Sequence, residues 1–130
     1  MKNITRQMLQ IYVPISNLDW MNYRLVKNEL TFHHIKKKEN GGKRIIENGA
    51  LLMPYAHQYL HLIEFKDIET YETLNRIFKQ INSHRKEATY GQRQMIEYIL
   101  REFEEIHKND RGHKGKKLIK DEYLNRGFYL

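Results

Sequence analysis

The period of the apolar positions changes along the chain, and each change marks an element. Tyr71, Leu74, Ile77, Phe78 and Ile81 fall three and four residues apart, the spacing of one helical face. This predicts a helix over about 67–83 with Asp67 as its N-cap. Met95, Ile96, Ile99, Leu100, Phe103 and Ile106 repeat the rhythm and predict a second helix over about 89–108, with Thr89 and Gln92 at capping-box spacing. Leu30 to Ile35 (LTFHHI) is β-prone, alternates and has no breaker, so it reads as a strand. Asn48-Gly49 then leads into Ala50, Leu51, Leu52 and Met53, a short apolar run that reads as a second strand. Pro54 suits the first turn of a helix, which continues from Tyr55 to Phe65.

The first 30 residues carry a weaker pattern. Ile4, Met8, Leu9, Ile11, Val13 and Ile15 show no clear period, and the segment is expected to be a short strand or irregular lead-in. Ser16 or Asn17 can cap a short helix carrying Leu18, Met21, Leu25 and Val26. From Asp110 to Leu130 the chain is basic, with an apolar end able to dock on the body. The order is therefore strand, loop, strand, helix, then further helices: an α+β chain of 130 residues, the size of a single domain.

Composition narrows the function. Twenty-three Lys and Arg against sixteen Asp and Glu leave a net charge of +7, which favours a polyanionic partner, most often nucleic acid. There is no cysteine, which excludes disulfides, thiolate zinc sites and cysteine nucleophiles and fits a reducing cytoplasm. No stretch approaches the roughly 18 apolar residues of a membrane span, and the N-terminus does not read as a secretory signal. A cytoplasmic protein with no membrane partner is expected.

The histidines carry the chemistry. Four of the seven, His33, His34, His57 and His61, cluster between the first strand and the first long helix. Adjacent His33 and His34 point to opposite faces of a strand. His57 and His61, four apart on a helix, project from one face and can hold a metal together. Each piece alone has an ordinary structural explanation. In combination, FHHI, the Gly-Gly loop, ENGALL and HQYLH place an Asn fourteen residues after His34, a His nine later and another four later.

That series resembles the HNH (His-Me finger, ββα-metal) endonucleases, and is closest in spacing to the nuclease domains of DNase-type colicins and pyocins. The resemblance covers about residues 30–62; beyond it the chain has only the general look of small phage-type HNH proteins. It implies a ββα-metal core with additional C-terminal helices. It also implies a metal-dependent endonuclease that hydrolyses DNA phosphodiester bonds to 5′-phosphate and 3′-hydroxyl ends. His34 would be the general base that activates water. His33, His57 and His61 would ligate one divalent cation, and Asn48 would fix the backbone beneath His34. Many family members have a carboxylate where His33 stands and use magnesium. An all-imidazole set is softer and suits zinc, nickel or copper better than magnesium, and the ion is left open among magnesium, manganese, zinc and nickel. The family's basic and acidic pair upstream of the two histidines has no assigned match here.

Lys36, Lys37, Lys38, Lys43 and Arg44 fill the loop between the strands and are the candidate contacts to a nucleic-acid backbone. Two other readings compete. One is a non-catalytic, metal-stabilised module that binds nucleic acid or protein on the same fold. The other is an interaction protein gripping a partner with the two long helices.

Overall fold

The computed structural model describes residues 3–12, 18–26, 29–84 and 90–110. Among them the chain forms four α-helices and one two-stranded antiparallel sheet, an α+β architecture. The helices are α1 (Asn3–Tyr12), α2 (Pro54–Lys66), α3 (Ile68–His84) and α4 (Tyr90–His107). The strands are β1 (Thr31–His34) and β2 (Gly49–Leu52). Their register pairs Thr31 with Leu52, Phe32 with Leu51, His33 with Ala50 and His34 with Gly49.

The first half of α2 follows from its sequence. Pro54 has no N–H to satisfy at the helix start, and Tyr55, Ala56, Tyr59, Leu60 and Ile63 are buried. Asp67 ends α2 and opens α3, where its carboxylate accepts from the Thr70 N–H at 3.3 Å and the Thr70 hydroxyl at 2.7 Å. α3 packs on α2, on α4 and on β2. Its buried face holds Tyr71, Leu74, Ile77, Phe78 and Ile81, the residues of the expected stripe. Two asparagines seven residues apart, Asn75 and Asn82, interrupt that face. The Asn82 amide donates to the Gly49 carbonyl and so ties α3 to β2. On α4 the buried stripe is narrower than expected: Ile96, Leu100 and Phe103 are inside, while Met95 and Ile106 are exposed. Thr89, half of the expected capping box, and residues 111–130 of the basic tail lie outside the described residues.

Two expectations for the first 30 residues are corrected. The lead-in is helical: Ile4, Met8 and Ile11 are spaced four and three apart, and Met8 and Leu9 are buried while Arg6 and Gln7 face outward. Val13 and Ile15, which blur the period, and the cap candidates Ser16 and Asn17 lie outside the described residues. The short helix expected over Leu18 to Val26 is absent. There the chain makes an isolated antiparallel bridge between Leu18 and Arg24 around a tight turn, with Asn22 in the left-handed region at φ 67°. Buried Asp19 organises it, accepting from the Met21 and Tyr23 N–H groups at 2.8 and 2.9 Å and from the Met53 N–H at 2.9 Å. A side-chain acceptor that captures backbone N–H groups competes with helix formation, and here it wins. The same turn meets α4, where Arg93 donates to the Asn22 amide oxygen at 2.7 Å.

Candidate functional site

His33, His57 and His61 come together. A nitrogen from each ring lies within 4.8 Å of one from each of the others. β1 presents His33 inward, where it is only 2% exposed, and α2 brings His57 and His61 to it one turn apart, their rings stacked at 4.8 Å between centroids. His34 lines the same cavity, of about 580 Å³, with Lys37, Lys38 and the ring of Tyr71.

Hydrogen bonds determine which nitrogen of each imidazole is free. The Thr31 hydroxyl lies 2.8 Å from the Leu52 carbonyl and 2.8 Å from His57 Nδ1. Its single proton goes to the carbonyl, so His57 Nδ1–H is the donor to Thr31 and Nε2 keeps a lone pair. His33 Nε2 donates to the Asn75 amide oxygen at 2.9 Å, which leaves Nδ1. His61 Nδ1 donates to the Glu64 carboxylate at 3.1 Å, which leaves Nε2. Each ring thus has one nitrogen held by a protein oxygen and one available, the arrangement of a metal-ligating histidine.

The protonation states agree. Burial lowers the pKa of His33 to about 3. Burial, with His61 and His34 nearby, lowers that of His57 to about 4. Both are neutral at pH 7, as ligation requires. Coordination at roughly 2.1 Å separates ligand nitrogens by about 3.0–3.4 Å, and one nitrogen of each ring already lies within 4.8 Å of one on each of the others. Three imidazoles this close together can hold one metal ion.

His34 sits at the end of β1, its ring edge-on to Phe32 with centroids 4.9 Å apart. Burial first, then Arg44 and Lys38, push its pKa below the ordinary value, so it is an unprotonated base at neutral pH. The backbone after it is clamped. The Asn48 amide oxygen accepts from the Lys36 N–H at 2.7 Å, and its NH2 donates to the Lys36 and Lys43 carbonyls at 3.0 and 2.9 Å. The Ile35 N–H donates to the Asn48 carbonyl at 2.8 Å. Asn48 is thus bonded across the loop just beyond His34.

The five loop cations divide. Lys37 and Lys38 line the histidine cavity, and Lys37 pairs with Glu64. Burial raises the Glu64 pKa, but Lys37 and His61 outweigh it and the carboxyl stays below its usual range. Arg44 lies over the Phe32 ring at 4.6 Å, beside His34. Lys36 lines a neighbouring cavity, and Lys43 is exposed and lines neither. The loop closes on two glycines. Gly41 has φ 89°, and a Cβ on Gly42 would fall 1.8 Å from the Lys36 carbonyl oxygen.

Thr31, Glu64 and Asn75, which hold the three histidine rings of the cluster, have no motif in the sequence that singles them out. Glu64 had a signal, standing three residues after His61 on the same helix. Asn75 had a fainter one, a polar residue inside an apolar stripe. Among the described residues no helix is long and apolar enough to cross a membrane. The chain matches no protein-family model, no curated protein and no solved structure.

Proposed function

We propose that the protein is a metal-dependent endonuclease of the HNH (ββα-metal) kind, hydrolysing phosphodiester bonds in DNA. One observation carries the reading. Three imidazoles, each with one nitrogen held and one free, share a cavity wall with a fourth imidazole that is unprotonated and flanked by cations. A structural metal site has no need of that fourth group.

In this mechanism His33, His57 and His61 hold the cation. When bound, it supplies positive charge for the phosphorane-like transition state and for the leaving 3′-oxygen. His34 takes a proton from water as the water oxygen bonds to phosphorus. The P–O3′ bond breaks and the 3′-oxygen takes a proton from solvent, giving a 5′-phosphate and a 3′-hydroxyl. Asn48 keeps the backbone beside His34 in place, and burial, then Arg44 and Lys38, keep the imidazole neutral. Thr31, Asn75 and Glu64 orient the ligand rings.

Supercoiled plasmid incubated with the protein in EDTA, then in magnesium, manganese, nickel and zinc, tests this reading. Nicked or linear product with at least one ion and none in EDTA is expected, with 5′-phosphate ends. A metal-dependent rise in melting temperature with no cleavage by any ion would identify a metal-stabilised binding module.

A further inference from the structure

We propose that a second cavity, running from the histidine centre along α3, is the track for the phosphate backbone of the bound strand, with Lys36, Arg76 and Lys79 as its contacts. The identity of the polyanion rests on the nuclease reading; the groove itself rests on the following geometry. The cavity, of about 470 Å³, shares Lys37 and Tyr71 with the histidine cavity, so the two adjoin across those side chains. Arg76 and Lys79 stand three residues apart on α3, and Lys36 faces them from the loop.

Charge and length fit a nucleic-acid strand. Two carboxylates also line the groove, but Glu64 is engaged by Lys37 and His61, which leaves Glu72 facing three cations. Among the described residues Lys36, Arg76 and Lys79 form no ion pair; the Arg76 guanidinium donates only to the Thr73 hydroxyl one turn back, at 2.9 Å. From Tyr71 to Lys79 the helix advances eight residues, about 12 Å at 1.5 Å each. A duplex strand rises about 3.4 Å per nucleotide along the axis and its backbone path between phosphates is longer, so the groove takes at most about three phosphates beyond the histidine centre. Ile35 and Ile68 give it apolar wall against which a sugar can rest. The Lys36 backbone is bonded to Asn48 through both its N–H and its carbonyl, so the residue that holds the strand end also aims the first cation of the groove.

The test is fluorescence anisotropy with labelled 20-nucleotide single-stranded and duplex DNA, in EDTA so that nothing is cut, over a range of salt. Wild type is compared with the double variant Arg76→Gln/Lys79→Gln and with Arg6→Gln/Arg101→Gln, which removes equal charge from exposed positions on α1 and α4. Removing two phosphate contacts should weaken binding on the order of tenfold. It should also make the slope of log K against log salt shallower by about 1.4 for single strands or about 1.8 for duplex. The control pair should change neither comparably, and Arg76→Lys/Lys79→Arg should bind like wild type. Equal affinity and slope in wild type and the Gln variant, an equal loss in the control, or no binding by wild type would overturn the groove. Cleavage by wild type with groove-independent binding sinks the groove alone. Groove-dependent binding with no cleavage in any metal sinks the nuclease and leaves the groove standing.

Discussion

Thr31 shows how little chemistry is needed to ready a histidine for a metal. Its hydroxyl is fixed as donor by the Leu52 carbonyl and can therefore only accept from His57, which turns the His57 Nε2 lone pair toward use. Asn75 and Glu64 do the same for His33 and His61 with an amide oxygen and a carboxylate. Thr31→Val keeps the shape and removes that acceptor. It should weaken metal affinity roughly 10- to 100-fold, the usual cost of losing such a partner. Titration against a chromophoric chelator measures this, and Thr31→Ser should restore it. An unchanged affinity in the Val variant would mean that the His57 tautomer is set elsewhere.

At the level of elements, what the sequence made legible is the stretch from Leu30 to His84. Its strands are short but bounded by strong turn residues, and its helices start at Pro54 and Asp67, whose roles are local. The three clustered histidines are legible because strand alternation and the i, i+4 helical spacing each fix a direction without tertiary information. Partners from distant elements were not. Asn75 reaches His33 across 42 residues, and no local period announces that contact. The turn over Leu18–Arg24 was misread because its apolar residues happen to fall at helical spacing, while Asp19 is held by Met53, 34 residues away. The α4 stripe is narrower than its periodicity for a similar reason, since a period gives a face but not how much of it a neighbour covers.

At the scale of the whole molecule, the site is a stability cost that depends on pH. His33 and His57 titrate near 6.5 in the unfolded chain but at about 3 and about 4 in the fold, because burial disfavours their charged forms. Below pH 6.5 the unfolded chain therefore binds protons that the native state refuses. Stability contributed by the neutral rings is complete above about pH 6.5 and is lost as pH falls toward about 4 and then 3. Melting temperature of the metal-free protein should accordingly fall between pH 7 and 4. The His57→Gln variant, which can still donate to Thr31, should show a shallower fall. A melting temperature flat over that window would show that these imidazoles are not buried neutral. On the proposed reading the basic surplus works at the same scale: net charge would draw a polyanion in, while the loop and α3 cations would decide where it lies.

The central claim is that His34 and the three-histidine centre perform separate tasks in one cavity. The direct measurement is metal affinity and plasmid cleavage on the same preparation of His34→Ala. Metal binding and melting temperature should match wild type, while cleavage falls by about 10²–10⁴, the range expected for removing a general base. Cleavage at the wild-type rate with metal bound would contradict the account.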